Sequence, residues 1–250
     1  MSKENHSVRR FFSFNLIPSL CYRINIDKES KEKISEISDL LVRRPELSFI
    51  VYSNHISYPD PLYEAYISRR LDHGQNRHLI APVSYSHTDP SEPRGKLFSA
   101  LINEAQQCGV ETIRVIQSYQ INDPEFGYSQ EQATATYKNW LRHLQELGKS
   151  HTPTGVMINP EGHRSDTGIL DNGESGVIAC GRLLPPAIYI PLGIHYDHNF
   201  DRNGANLFHR VNLTIGNTFI QETAKDSPSL DLLMRNLAST LPVKMRGNWK

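Results

Sequence analysis

Short apolar runs alternate with longer segments of helical periodicity along most of the chain, and this alternation limits the fold more than any other feature. Runs with the length and composition of buried strands occupy residues 47–52, 78–83, 111–116, 155–158, 187–194 and 211–215. Helix-period segments lie between them at residues 62–71, 95–107 and 130–147. Parallel strands require crossover connections, which are usually helices. The pattern therefore predicts an α/β fold with a largely parallel sheet flanked by helices.

Residues 1–45 precede this alternation, and we expect them to form an N-terminal segment and helix that adds to one domain over residues 46–250. Asp27 is a typical cap residue for a helix over residues 28–43, and Pro45 follows its end. The helix has an apolar face, formed by Ile34, Ile37, Leu40 and Leu41. No internal repeat or Gly/Ser linker divides the rest of the chain.

The longest candidate membrane segment covers residues 11–22, and its 12 residues are too few to span a bilayer. Two interpretations stay open. Its apolar side chains pack on the domain, or they enter a lipid headgroup layer while neighbouring arginines meet anionic lipid. The second interpretation predicts peripheral contact with a membrane surface.

The charge and cysteine counts exclude several classes of partner and site. With 27 basic and 27 acidic side chains the chain has no net charge, so no overall field attracts nucleic acid, and we expect no nucleic-acid partner. The three cysteines show no CxxC spacing, which argues against a disulfide framework and a cysteine-rich zinc site. We expect a reducing, cytoplasmic location.

Two polar stretches follow predicted strands, at the sheet edge where α/β proteins place their chemistry. The first is SNHISYPDP at residues 53–61, and it contains His55 and Asp60. On one helix these two side chains would point about 140° apart, so they meet only if His55 lies in a loop and Asp60 begins the helix. Asp60 would then fix the imidazole tautomer, leaving the other nitrogen to take a proton from a hydroxyl. The alternative is a helix-capping Asp60 beside an ordinary loop histidine.

The second stretch, NPEGHRSDTG at residues 159–168, combines Glu161, Gly162 and Arg164. Glycine permits close approach of a ligand to the backbone, and a guanidinium suits phosphate or carboxylate. The alternative is a surface turn with an ion pair between Glu161 and Arg164.

Together these residues resemble the glycerolipid acyltransferases, a family that includes lysophosphatidic acid and glycerol-3-phosphate acyltransferases. The NHxSxxD block of that family is matched by Asn54, His55, Ser57 and Asp60. Its PEGxRS block is matched by Pro160, Glu161, Gly162, Arg164 and Ser165. Two later stretches, residues 188–194 and 211–219, are also similar, so the resemblance covers about residues 47–220.

The resemblance implies an acyltransferase domain over residues 46–250 that moves an acyl group from acyl-CoA or acyl carrier protein to an alcohol, typically a glycerolipid. His55 and Asp60 would be catalytic. Substrate-binding roles would fall to Asn54, Ser57, Glu161, Gly162, Arg164 and Ser165. The family also has an acceptor-binding arginine six residues after a glycine. The similar residue here is Arg114, five residues after Gly109, which would also bind substrate. The thioester is a co-substrate, and no metal or other cofactor is implied.

Two other function classes stay open from the residues. A cluster at residues 195–201 could hold a metal for hydrolysis through His195, Asp197, His198 and Asp201, although it lacks the HExxH frame of a helical zinc site. A relative that binds lipid without turnover would keep the fold while losing the chemistry.

Overall fold

A computed structural model describes residues 21–73, 75, 77–85, 95–124, 126–197, 201 and 206–249. These residues form a mixed sheet of eight strands. The strands are β1 Arg23–Ile26, β2 Ser48–Ser53, β3 His78–Ser84, β4 Val110–Val115, β5 Thr154–Ile158, β6 Ala187–Tyr196, β7 Arg210–Ile215 and β8 Phe219–Gln221. Their order is β1-β7-β6-β2-β5-β3-β4, with β8 paired to β6.

The five strands β6, β2, β5, β3 and β4 run parallel to one another. Strands β7 and β8 run antiparallel to β6 and share its outer edge, since β8 pairs with its first residues and β7 with its last. The prediction of a largely parallel α/β sheet is confirmed. The carboxyl ends of the five parallel strands consequently lie along one edge.

Six helices lie against the faces of the sheet in the described part of the chain. They are α1 Lys28–Arg43, α2 Asp60–Asp72, α3 Gly95–Gln107, α4 Gln130–Lys149, α5 Gly176–Leu183 and α6 Leu230–Ser239. Helix starts follow local sequence: the Asp27 side chain accepts from the Ser30 backbone N–H, and Ser129 forms a capping box with Gln132. The helix predicted over residues 28–43 is confirmed.

Successive side chains along each strand point to opposite faces of the sheet, so the core is divided into two clusters, one on each face. Phe49 and Val51 of β2 point to the face that carries α1 and α2, whereas Ile50 and Tyr52 point to the face that carries α4, α5 and α6. Both faces of the central strands are covered, which is why every residue of β2 and β5 is buried.

Residues 21–45 contribute directly to this core. Strand β1 pairs with β7, and Ile37 and Leu41 of α1 pack in the same cluster as β2 and α2. Residues 11–20 of the stretch discussed above lie outside the described residues. Among the helices that are described, none combines the length and apolarity that crossing a membrane requires.

Candidate active site

The two polar stretches lie side by side because they leave from paired strands. Strand β2 ends at Ser53 and its neighbour β5 ends at Ile158, and the two run parallel. We call residues 53–60 the His55 loop and residues 159–171 the Glu161 loop. Both loops occupy the carboxyl edge of the sheet, as predicted.

His55 and Asp60 meet in the arrangement that the loop-to-helix interpretation requires. His55 precedes the helix, Asp60 is the first residue of α2, and His55 Nδ1 lies 3.1 Å from Asp60 Oδ2. The same carboxylate oxygen accepts the backbone N–H groups of Ile56 at 2.6 Å and Ser57 at 2.7 Å. Asp60 thus accepts hydrogen bonds from the loop that precedes it. It does not cap α2, whose start has no side-chain cap.

Burial fixes this pair further. Asp60 is completely buried, whereas His55 keeps 9% of its surface exposed. The Tyr196 hydroxyl, at the end of β6, donates to Asp60 Oδ1 at 3.1 Å. With Nδ1 protonated and donating to Asp60, Nε2 remains as the proton-accepting atom of the ring, and no described residue forms a hydrogen bond with it.

The Glu161 loop holds the backbone of His55 from both sides. Glu161 Oε2 accepts the His55 N–H at 2.8 Å, and the Ser165 N–H donates to the His55 carbonyl at 2.7 Å. Glu161 Oε1 accepts the Asp171 N–H at 2.9 Å, so one buried carboxyl joins the His55 loop to the far end of the Glu161 loop. Gly162, at φ +69°, turns the chain beside the Glu174 carboxylate, a backbone conformation that favours glycine.

Arg164 contacts the His55 loop through Tyr58. Its guanidinium stacks over the Tyr58 ring at 3.7 Å from the centroid and donates to the Tyr58 hydroxyl at 2.9 Å. The ion pair with Glu161 that the surface-turn interpretation required does not form, because Glu161 is turned inward to backbone amides.

Asn54 and Ser57 are buried and serve the loop itself. The Asn54 side chain exchanges two hydrogen bonds with the Ile194 backbone, at 2.9 and 2.8 Å, which extends the β2–β6 pairing by side-chain means. Ser57 Oγ accepts from Asn206 Nδ2 at 2.6 Å. Contact of either residue with a substrate stays a prediction.

Beneath the His55 loop lies a polar network that the sequence did not reveal. Glu64, one turn after Asp60 on α2, accepts hydrogen bonds from Ser53 Oγ and from Asn159 Nδ2, the latter at 2.6 Å. Asn159 also donates to the Ser53 carbonyl at 3.2 Å. Asn159 therefore has a buried carboxyl as its partner.

Burial without a cation changes the proton affinity of two of these carboxyls. Desolvation raises the pKa of Glu64 to about 7 and that of Glu161 to about 7, although hydrogen bonds to each act in the opposite direction. No lysine or arginine of the described residues forms an ion pair with Asp60, Glu64 or Glu161. The site is therefore built around three buried acidic groups and one imidazole.

A cavity of about 120 Å³ adjoins the Glu161 loop on the face of the sheet that carries α4 and α5. Asn159, Gly162 and Glu174 line its polar side, and Trp140 lines its apolar side. Trp140 is 1% exposed, and its Nε1–H has no hydrogen-bond partner among the described residues. The lining of the cavity therefore combines polar and apolar side chains.

Arg114 is not brought to this site. It lies on β4, three strands from β2, a lateral separation of about 14 Å, and its guanidinium lies 5.9 Å from the centroid of the Tyr85 ring. A shallow depression near β4, separate from the cavity above, includes Arg114 in its lining. The predicted contact between Arg114 and the acceptor has no support from this placement.

The alternative metal cluster does not converge in the described residues. His198 lies outside them, and His195, Asp197 and Asp201 do not bring three ligand atoms together. Asp197 instead pairs with Arg210 at 3.4 Å and accepts from Asn212. Burial lowers the pKa of His195, whose Nδ1 has no hydrogen-bond partner in the described part of the chain.

Comparisons with known proteins find similarity among solved structures. No family model matches the chain, and no curated protein matches it. Among solved structures, the 1-acyl-sn-glycerophosphate (LPA) acyltransferase PlsC from Thermotoga maritima is similar, with 14% sequence identity, 88% of each chain covered and a TM-score of 0.36.

Proposed function

We propose that this protein is an O-acyltransferase that moves an acyl group from an acyl thioester to the hydroxyl of a glycerolipid-type alcohol. The observation that carries the proposal is the buried contact between His55 Nδ1 and Asp60 Oδ2 at the carboxyl edge of the sheet. The matching sequence blocks around these two residues support it, because they resemble those of glycerolipid acyltransferases.

The chemical step uses His55 as a general base. Nε2 takes the proton from the acceptor hydroxyl while its oxygen bonds to the thioester carbonyl carbon, which gives a tetrahedral intermediate. When the intermediate collapses the C–S bond breaks, the sulfur leaves with the electron pair, and the imidazolium returns its proton to that thiolate. The products are an ester and a free thiol, and His55 is again neutral.

Asp60 acts as the positioning residue for the base. It accepts four hydrogen bonds, from the His55 ring, two backbone amides and Tyr196. This network holds the carboxylate where it selects the Nδ1–H tautomer, and its negative charge stabilises the imidazolium that forms during transfer.

Several backbone amides near the base are already used, which narrows the choice of oxyanion donors. The N–H groups of Ile56 and Ser57 bond to Asp60, and that of Gly162 bonds to the Asn159 carbonyl. Arg164, which is partly exposed, is the cation we assign to the anionic group of the acceptor or to the phosphates of the donor. The donor, acyl-CoA or acyl carrier protein, is consumed as a co-substrate.

The test is a product survey with purified protein. Labelled acyl thioesters of CoA and of carrier protein are mixed with a panel of lysolipids, glycerol 3-phosphate and non-phosphorylated alcohols, and products are identified by mass spectrometry. We expect thioester-dependent ester formation that a metal chelator does not reduce. The panel also identifies the acceptor class and the donor.

Two outcomes would contradict the proposal. Thioester binding without any ester product would support a lipid-binding protein that has lost turnover. Loss of activity on chelation, with the melting temperature unchanged, would support metal-dependent chemistry instead. Vesicle flotation with and without residues 1–20, a deletion that keeps the buried Tyr22 and strand β1, separately tests peripheral membrane contact, which we expect to weaken on truncation.

A further inference from the structure

A second group of titratable side chains lies at the opposite edge of the sheet from the His55 loop. Glu111 Oε2 is 2.6 Å from His78 Nε2 and 3.1 Å from His143 Nε2. The three candidate ligand atoms all lie within 4.8 Å of one another. Two imidazoles thus converge on a single carboxylate oxygen.

The fold explains why residues so far apart in sequence meet here. His78 begins β3 and Glu111 is the second residue of β4, and the register pairs Glu111 with Ile80, two residues after His78. Residues two apart on a strand point to one face, and directly paired residues share a face, so both side chains lie on the same side of the sheet. Helix α4 covers that face and presents His143, one turn after the buried Trp140.

From this geometry we infer that His78, Glu111 and His143 form a zinc-binding site. Two imidazole nitrogens and one carboxylate oxygen are a ligand set that zinc takes in proteins, with a water or another ligand in the fourth position. The side chains are between 26% and 35% exposed, so an ion has access from solvent and a fourth position is open to water.

The distances suit an ion after small side-chain movements. Zinc bonds of about 2.0–2.1 Å in a tetrahedron place ligand atoms about 3.3 Å apart. The observed N–O separations of 2.6 and 3.1 Å are hydrogen-bond distances, and shifts of about 1 Å bring the three atoms to coordination geometry. On binding, each Nε2 would release its proton to solvent and coordinate the ion through its lone pair, and Glu111 would become a ligand instead of a hydrogen-bond acceptor.

The site is independent of the proposed acyl transfer. His78 pairs with Thr154, the first residue of β5, whereas the Glu161 loop leaves the last, roughly 13 Å of strand away. A bound ion would join β3, β4 and α4 at the outer end of the sheet, where β4 has a partner on one side only among the described strands. Its expected effect is therefore on stability, with turnover unchanged.

The test uses the full chain, free of any affinity tag and stripped of metal. Titration with Zn²⁺ against a competing chromophoric chelator measures stoichiometry and affinity. We expect one ion per chain, affinity reduced at least about 100-fold in the His78→Ala/His143→Ala double variant, and the same direction of change in Glu111→Gln, which keeps the side-chain shape. His209→Ala, which removes one imidazole elsewhere, is the matched control and should bind as the wild type does.

Two further readouts decide whether the same residues hold the ion. Co²⁺ in place of zinc should give the intense visible absorption of a four-coordinate site in the wild type and not in the double variant. Saturating Zn²⁺ at about 100 times Kd should raise the wild-type melting temperature by about 5–10 °C, and the double variant should show no such rise. Equal Zn²⁺ affinity in the wild type and the double variant, or no saturable binding by the wild type, would overturn the inference.

Discussion

The two edges of the sheet both pair imidazole with carboxylate, yet the pairs differ in burial and in the number of donors. At the carboxyl edge, His55 meets a fully buried Asp60 that receives four hydrogen bonds, and one ring nitrogen has no partner among the described residues. At the opposite edge, His78 and His143 both point Nε2 at one oxygen of a Glu111 that is about one-third exposed.

The difference shows how the same residue types come to serve different chemistry. A buried carboxylate with fixed donors holds one imidazole in one tautomer, which is what a general base requires. Two imidazoles that direct Nε2 at one accessible carboxylate oxygen place three potential ligand atoms around a common point, which is what a metal ion requires. The number of hydrogen-bond donors at the carboxylate, rather than the presence of the pair, separates the two roles.

The largest expected effect follows from replacing the buried carboxylate. Asp60→Asn puts an amide donor where Asp60 receives the His55 ring and two backbone N–H groups, so the Nδ1–H tautomer loses its acceptor. We expect kcat/KM for acyl transfer to fall about 1,000-fold. Asp231→Asn, an exposed change at the start of α6, is the matched control. Activity of Asp60→Asn within about tenfold of the wild type would contradict the claim that the buried carboxylate at the carboxyl edge positions a general base.

Glu64→Gln tests, through the pH dependence of folding stability, whether the carboxyl edge of the sheet holds a buried carboxyl with a raised pKa. The folded pKa of Glu64 is raised to about 7, above the ordinary value near 4.5, so the wild type binds this proton more tightly when folded. The stability that the wild type has with Glu64 protonated is therefore fully present below about pH 4.5 and is lost as pH rises to about 7. Because glutamine does not titrate, the free energy of unfolding of the variant should rise relative to that of the wild type across this range, by up to about 3 kcal/mol at pH 8.

Denaturant unfolding of wild type and Glu64→Gln at pH 5 and pH 8 measures this difference. Glu32→Gln, at an exposed position of α1, supplies the control, and its difference from wild type should change little with pH. A stability difference for Glu64→Gln that is the same at both values of pH would show that Glu64 does not carry a raised pKa.

Arg164→Ala tests whether the cation beside Tyr58 belongs to the site. We expect KM for the acceptor or the donor to rise about tenfold with little change in kcat, because a binding contact is lost and the base stays in place. Arg164→Lys keeps the charge but lacks the planar fork, so it should recover part of the loss. If KM for both substrates is unchanged in Arg164→Ala, the guanidinium lies outside the binding site.

The smallest effect is expected for Tyr196→Phe, which removes one of the four hydrogen bonds to Asp60. A net loss of about 1 kcal/mol in the positioning of the carboxylate corresponds to a fall in kcat of about fivefold, with KM unchanged. Tyr52→Phe is the control, since the buried Tyr52 hydroxyl has no hydrogen-bond partner in the described residues. Equal kinetics for both variants would show that Tyr196 does not position Asp60.

The sequence predicted the parts of the fold and site that depend on local pattern. Apolar runs located β2 to β7 within one or two residues, and the interpretation in which Asp60 begins a helix agrees with the observed start of α2. Strand β1, strand β8 and helices α5 and α6 were not predicted. The first three are only 4, 3 and 8 residues long, so their periodicity is weak, and β1 forms only because β7 lies beside it.

The parts of the site that were missed depend on contacts between distant segments. Tyr196 reaches Asp60 across 136 residues, and Asn206 reaches Ser57 across 149. No spacing rule reports such contacts. Glu64 was missed for the same reason, because its partner Asn159 lies 95 residues away and a glutamate one helical turn after Asp60 looks like ordinary surface charge.

The most direct measurement is the stoichiometry of acyl transfer in His55→Ala, with His209→Ala as the matched histidine control. Ester and free thiol are quantified together from the same thioester and alcohol, and the melting temperature checks folding. We expect equal amounts of both products from wild type and control, and at least about a 100-fold lower rate from a folded His55→Ala. Ester formation by His55→Ala at the control rate would contradict the assignment of this imidazole as the base.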